Sequence, residues 1–108
     1  MPRVDRILRN AILAIRRWDP NSKIILFGSR ARGDHLKDSD YDLIVVSSKF
    51  EGVSFTKRMV MLTKKIYEQG ARGSFELLCY TPEEFKRKKK ELGTVSSALS
   101  EERGVFRK

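Results

Sequence analysis

Residues 23–29 and 40–46 read Lys-Ile-Ile-Leu-Phe-Gly-Ser and Asp-Tyr-Asp-Leu-Ile-Val-Val, and these two stretches decide the fold. The first is a short apolar run that ends in a Gly-Ser pair, which predicts a buried strand followed by a tight turn. The second begins with two aspartates and continues as an apolar strand. Because alternate side chains of a strand share a face, Asp40 and Asp42 are predicted to point the same way. Both faces turn apolar after Asp42, which is typical of a central strand.

Sequence patterns around these strands predict the other elements. Thr81, Pro82 and Glu84 form a helix start with a capping box, and Tyr80 and Phe85 are placed for a hydrophobic staple. Apolar spacing and breakers give the rest: helices over about residues 3–18, 54–69 and 94–104, a helical turn over about 29–32, and a strand over about 74–80.

The predicted helix over residues 54–69 carries a defined apolar stripe. Phe55, Met59, Leu62 and Ile66 recur at helical spacing, which predicts this helix, and Gly70 is expected to close it. The chain shows no internal repeat and no long linker. Its 108 residues therefore predict one domain over residues 1–108.

Composition bounds the class of protein. A hydrophobic content of 40% suits a globular chain, and no apolar run approaches the roughly 20 residues of a membrane span. The single cysteine, Cys79, provides neither a disulfide framework nor a cysteine-based zinc site. The first residues lack a signal-peptide core, so we expect a cytoplasmic protein with no membrane association. The formal net charge of +9 favours polyanionic or acidic partners, although a merely solvated basic surface would also explain it.

Three features carry candidate chemistry. Gly28 permits close backbone approach to a ligand, and the Ser29 hydroxyl can donate to a phosphate oxygen, although a Gly-Ser turn alone is weak evidence. Asp40 and Asp42 offer the oxygen ligands that Mg²⁺ takes, with an ordinary polar turn as the alternative. Glu76 stands alone in an otherwise apolar strand. Since buried carboxylates are rare unless paired or metal-bound, we favour a metal ligand over an outward-facing strand residue.

Three segments resemble a known family: Phe-Gly-Ser-Arg-Ala-Arg-Gly at 27–33, Ser-Asp-Tyr-Asp-Leu at 39–43 and Phe-Glu-Leu at 75–77. They resemble the nucleotidyltransferase superfamily typified by DNA polymerase beta. The nearer match is its minimal nucleotidyltransferase branch, known from antitoxins paired with HEPN-domain proteins. The likeness runs from residue 23 to residue 92, most of the chain. It implies an α/β fold of the α+β type, a small mixed sheet with helices packed mainly on one face.

The resemblance also implies roles for the candidate residues. Asp40 and Asp42 would hold metal, Glu76 would be the third catalytic carboxylate and a metal ligand, and Gly28 and Ser29 would hold the nucleotide triphosphate. Many relatives carry Asp at the third place, and Glu76 is one methylene longer. Two arginines of the first segment either support the phosphates or are solvated surface residues: Arg30 and Arg32.

The activity that the resemblance implies is Mg²⁺-dependent transfer of a nucleoside monophosphate from an NTP, with ATP favoured, to a hydroxyl. Because the chain is short, the target would be presented by a partner, a HEPN toxin modified on a side-chain hydroxyl, which makes this chain an antitoxin. The alternative is a partner-binding module that neutralises by contact alone. A weaker alternative is nucleic-acid binding through the basic run at 86–90, which is more often a solvated helix face.

Overall fold

The computed structural model describes the backbone of residues 6–27, 40–91 and 105–106, and the side chains of residues 6–27 and 40–89. The described elements follow the order helix, strand, strand, helix, strand, helix, strand, with a 3-10 turn after the second strand. The helices are α1 (Arg6–Trp18), α2 (Phe55–Glu68) and α3 (Pro82–Glu91), with a short 3-10 helix at Ser48–Phe50. The strands are β1 (Lys23–Phe27), β2 (Tyr41–Val46), β3 (Phe75–Tyr80) and the two-residue β4 (Val105–Phe106).

The strands form one mixed sheet in the order β3-β2-β1-β4. β1 and β2 are antiparallel, with registers from Lys23↔Val46 to Phe27↔Asp42. β2 and β3 are parallel, with α2 in the connection between them. The predicted central position of β2 is confirmed, because it has a hydrogen-bonded neighbour on each side.

The larger core lies on one face of the sheet. α1 and α2 cover this face and enclose the alternate strand residues Leu26, Leu43 and Leu77. Burial of the apolar side chains in this larger core stabilises the fold. Trp18 packs on Phe50 with ring centroids 5.1 Å apart, as expected for an aromatic residue at a helix end.

The opposite face carries a smaller apolar cluster. Ile25, Ile44 and Val46 are covered there by Phe85 of α3, with half-buried Leu78 and Tyr80 at its margin. Since two of the three helices pack on the other face, the predicted mixed sheet with helices mainly on one face is confirmed.

α3 begins as predicted. The Thr81 backbone N–H donates to the Glu84 carboxylate at 2.9 Å, and the Glu84 N–H donates to the Thr81 hydroxyl at 3.2 Å, so both halves of the capping box are present. The rings of Tyr80 and Phe85 lie 6.3 Å apart, in agreement with the staple. α3 is thus held close to the end of β3.

The helix predicted over residues 54–69 is confirmed as α2, but not all of its apolar residues point inward. Leu62 and Ile66 are buried, but Phe55 and Met59 are 47% and 41% exposed, and Arg58 takes the third buried position instead. Positions 58, 62 and 66 are spaced by four, so they form the true inner face of the helix. The helix nevertheless ends as expected, with Gly70 at a φ of 87° just beyond it.

Two predicted helical segments and one strand that was not predicted complete the comparison. The helical turn over residues 29–32 and the last helix over 94–104 lie outside the described residues. β4 was not predicted, and it pairs antiparallel with β1 through Ile24↔Phe106 and Ile25↔Val105. No helix in the described part of the chain has the length and apolarity needed to cross a membrane.

Candidate active site

Two of the predicted carboxylates occupy neighbouring positions in the sheet. Asp42 and Glu76 are register partners across the parallel β2–β3 pair. The next partners on this face are Ile44 and Leu78, which belong to the smaller apolar cluster. Because every second residue of a strand returns to the same face, Asp42 and Glu76 lie on that face as well. The sheet therefore places two acids side by side where its apolar surface ends.

Asp40 lies close to this pair but outside the strand. β2 begins at Tyr41, whose backbone N–H donates to the Ser74 carbonyl at 3.0 Å, and Asp40 is the exposed residue before it. Among the described residues, no group of three or more His, Cys, Asp or Glu side chains is arranged to hold a metal ion. The structure thus makes Asp42 and Glu76 register partners and places Asp40, an exposed residue, directly before the strand that carries Asp42.

Glu76 is exposed, so the expectation that it is buried in an apolar strand is wrong. β3 is the last strand on its side of the described sheet, which leaves its side chains more accessible than those of β2. Asp42 is half-buried by comparison. The two paired acids therefore differ in environment, one held within the sheet and the other open to solvent and to a second reactant.

The end of β1 lies on the other side of Asp42. Phe27, the last residue of that strand, is the register partner of Asp42. The chain continues from Phe27 into the Gly-Ser segment, and four predicted nucleotide-binding residues of this segment lie outside the described residues: Gly28, Ser29, Arg30 and Arg32. The order across this end of the sheet is therefore the β1 end, then Asp42, then Glu76.

A comparison with family models decides the class of protein. The model described as "Nucleotidyltransferase domain" matches residues 8–105, nearly the whole chain. The chain belongs to this family. Membership implies an NTP substrate and, in most members, a divalent metal. Asp42 and Glu76 fit such a metal chemically, because Mg²⁺ is commonly held by one or two carboxylates together with substrate phosphates.

Solved structures support the same assignment. This nucleotidyltransferase is similar to a candidate nucleotidyltransferase from Sulfolobus solfataricus, with 28% identity, a TM-score of 0.59, and coverage of 76% of this chain and 70% of that chain. A second crystal structure of a candidate nucleotidyltransferase has 26% identity and a TM-score of 0.53, and it covers 79% of this chain and 89% of its own. No curated protein gives a significant match.

A cleft lies along β3, between the start of α2 and the exposed side of α3. It has a volume of ≈ 580 Å³ and is lined by Phe55, Leu78, Tyr80, Glu84, Arg87 and Lys88. Sequence reasoning missed this cleft, although Leu78 and Tyr80 share the face of Glu76 by simple alternation. The contributions of α2 and α3 could not be read from the sequence, because they depend on how those helices pack against the strand.

One residue that lines the cleft, Glu84, is held in an ion pair with the buried Arg58. Arg58 donates to the Glu84 carboxylate through both terminal nitrogens, and its Nε donates to the Val53 carbonyl at 2.7 Å. The hydrogen bond from Arg58 lowers the pKa of Glu84 from 4.5 to about 2, against the opposing effect of partial burial. Glu84 therefore stays ionised at neutral pH, with its charge compensated by Arg58.

Cys79 is not a candidate nucleophile. Its side chain is buried in the larger core, on the face opposite the carboxylates. Burial raises the pKa of the thiol to about 12, with a smaller opposing effect of the nearby Arg58 charge. The thiol therefore stays protonated at neutral pH.

Proposed function

We propose that this nucleotidyltransferase moves a nucleoside monophosphate from an NTP, with ATP as the favoured donor, to a side-chain hydroxyl of a protein. The observation that carries the proposal is the register pairing of Asp42 with Glu76 beside the end of β1. The chain matches the nucleotidyltransferase family over residues 8–105. In such a chain we expect the donor phosphates and the attacking hydroxyl to meet beside this pair of carboxylates.

The transfer makes one bond and breaks one. The hydroxyl oxygen attacks the α-phosphorus in line, the bond from that phosphorus to the bridging oxygen breaks, and pyrophosphate leaves with the electron pair. Glu76 is proposed to accept the hydroxyl proton, because it is the exposed member of the pair and faces incoming reactants. Positioning of the two reactants and charge stabilisation supply most of the rate.

The remaining proposed roles are binding of the metal ion and binding of the triphosphate. Asp40, Asp42 and Glu76 are proposed to hold Mg²⁺, which when bound neutralises phosphate charge and lowers the pKa of the attacking hydroxyl. The Gly-Ser segment is proposed to hold the triphosphate through backbone N–H groups, one hydroxyl and two guanidinium groups: Gly28, Ser29, Arg30 and Arg32.

A HEPN-domain toxin is the proposed acceptor. The resemblance to minimal nucleotidyltransferases supports this partner, and modification of its hydroxyl would make the chain a cytoplasmic antitoxin. Residues 1–108 are proposed to act as one domain, with the acceptor brought by the partner. If neutralisation of the toxin persists in Asp42→Asn, contact alone accounts for the effect and the catalytic proposal is wrong.

Calorimetric titration with Mg-ATP tests the donor site. Asp42→Asn and Asp40→Asn should each weaken binding about tenfold or more, because each removes a charge from the proposed metal site while keeping the side-chain shape. Glu68→Gln is the matched control, since it removes one exposed carboxylate at the end of α2. If both aspartate variants bind Mg-ATP as well as the parent, the metal assignment fails.

A further inference from the structure

The outward side of α1 is cationic and has an apolar centre. The helix contains four arginines and neither Asp nor Glu, and its inner side is defined by buried residues such as Ala11 and Ile15. Leu13 lies on the opposite side of the helix and is 46% exposed. The exposed Arg9 and Arg17 lie about one helical turn before and after it. An exposed leucine with an arginine on either side is therefore the main feature of this surface.

α2 extends the same surface. Both helices cover one face of the sheet, and Arg17 Nη1 donates to Oε1 of Gln69, the residue after α2, at 3.0 Å. On the side of α2 opposite its inner positions, Val60 is 66% exposed and the exposed Lys64 follows one turn later. Six residues make up this surface, which we call the outer helical face: Arg6, Arg9, Leu13, Arg17, Val60 and Lys64.

The positive charge of the outer helical face is not offset by nearby acids. Within the described residues, the arginines of α1 form no ion pair. Asp19, just beyond α1, is buried and accepts a hydrogen bond from the Ser47 hydroxyl, so it does not face outward. Glu68, near the end of α2, lies 3.9 Å from the ammonium group of Lys65. The outer helical face therefore presents a net positive charge to solvent.

This combination of charge and apolar surface favours one kind of occupant. A second copy of the chain is a poor one, because two outer helical faces paired across a twofold axis would set arginine against arginine. The phosphates of a nucleic acid would pair with the guanidinium groups but leave Leu13 without an apolar contact. An apolar centre within a charged rim that includes arginine is instead typical of protein–protein interfaces.

We propose that the outer helical face docks an acidic amphipathic helix of a partner protein. An apolar side chain of that helix covers Leu13, and carboxylates one turn to either side of it pair with Arg9 and Arg17. Asp42 and Glu76 lie on the other face of the sheet, so the docked helix lies away from the proposed carboxylate site. The inference rests on exposure and charge and is independent of the proposed function.

Binding of a probe peptide tests the outer helical face. The probe is a synthetic helix of alanine and glutamine with a central leucine and with glutamates one turn to either side, titrated by fluorescence anisotropy into the full chain at low salt. Arg9→Glu should weaken binding about tenfold and Leu13→Ala about fivefold, because each removes one half of a paired contact. Exchanging the glutamates on one side of the probe for lysines should recover part of the affinity of Arg9→Glu. Lys86→Glu, an equal charge reversal at an exposed position of α3, should have a much smaller effect.

The outcomes separate this proposal from the proposed function. If the parent chain does not bind the probe, or if Arg9→Glu and Lys86→Glu weaken binding equally, the outer helical face is not a docking site. If an oligouridylate binds more tightly than the probe, loses affinity in Arg9→Glu and is unaffected by Leu13→Ala, the choice of a protein partner is wrong. If the probe and Mg-ATP compete for the parent chain, the placement away from the carboxylates is wrong. If the parent chain binds the probe but not Mg-ATP, the proposed function fails and this inference stands.

Discussion

Arg58 is a cation in a position where the helix pattern calls for an apolar side chain. It lies on the inner face of α2 with 6% exposure, and its hydrogen bonds reach the Val53 carbonyl, the Cys79 carbonyl and the Glu84 carboxylate. One side chain thus connects the entry to α2, the edge strand β3 and the first turn of α3. Because burial of an unpaired charge is costly, Arg58 and Glu84 depend on each other.

The Glu84→Gln variant tests this dependence through pH. A carboxyl whose pKa is lowered from 4.5 to about 2 on folding stabilises the protein fully above pH 4.5, and the contribution is lost as pH falls toward 2. Glu84→Gln should therefore reduce the free energy of unfolding at pH 7, by about 1–2 kcal/mol for a partly exposed, hydrogen-bonded charge. Urea denaturation of both proteins between pH 7 and pH 2.5 measures the difference.

Glu83→Gln is the control for that measurement. Glu83 is the exposed neighbour of Glu84 in the first turn of α3, so its replacement removes the same charge from the same helix end. The difference in the free energy of unfolding between Glu84→Gln and the parent should become smaller below pH 4.5. If this difference stays constant with pH, or if Glu83→Gln loses as much stability as Glu84→Gln, the ion pair with Arg58 is not the cause of the lost stability.

At the scale of the elements, the sequence predicts best what neighbouring residues determine. The capping box of α3 and the stop of α2 at Gly70 follow from side-chain and backbone groups within a few residues of each other. The core-facing positions of α2 were harder, because they depend on packing against β3. Strand β4 has two residues, too few to show any alternation, and it exists through its pairing with β1.

The candidate site was also only partly predictable from the sequence. The spacing of Asp40 and Asp42 is visible in the sequence, and so is the single acid of β3, but their alignment depends on the parallel register of two strands that are separated by α2. The exposure of Glu76 depends on which strand lies at the edge of the sheet. The cleft needs three elements to pack together, so no local pattern could predict it.

Two glycines in the connection between α2 and β3 should differ in their tolerance of a methyl group. At Gly70 an added Cβ meets no atom within 4 Å, so Gly70→Ala should cost about 1 kcal/mol for its positive φ alone. At Gly73 the same Cβ would come within 2.5 Å of Ile7 Cγ2 and 3.1 Å of the Phe75 ring. Gly73→Ala should therefore be the more destabilising variant in urea denaturation, and equal losses would contradict this packing.

In the whole molecule, the two faces of the sheet serve different purposes. Leu43 and Ile44 are adjacent in β2, but Leu43 enters the larger core under α1 and α2, whereas Ile44 lies on the face of Asp42. Leu43→Ala should cost about 3 kcal/mol of stability and leave the Mg-ATP affinity of the folded protein unchanged. Ile44→Ala should also weaken Mg-ATP binding, because its methyl groups support the surface beside Asp42.

Urea denaturation and calorimetry on the same two samples check this division. Both variants are compared at a temperature where the parent and the variants are folded. If Leu43→Ala lowers nucleotide affinity as much as Ile44→Ala, the two faces are not independent.

If Asp42 and Glu76 have the roles proposed for them, the parallel pairing of β2 and β3 also sets when the chain can gain its activity during synthesis. β1 and β2 can form a hairpin-like pair as soon as residue 46 has left the ribosome, but the partner of Asp42 is Glu76, which emerges only after the whole of α2. Parallel pairing requires that helix to cross over first, and such long-range contacts form slowly. A nascent chain therefore holds Asp42 without its register partner until β3 docks, and the proposed carboxylate pair is completed in a single late step.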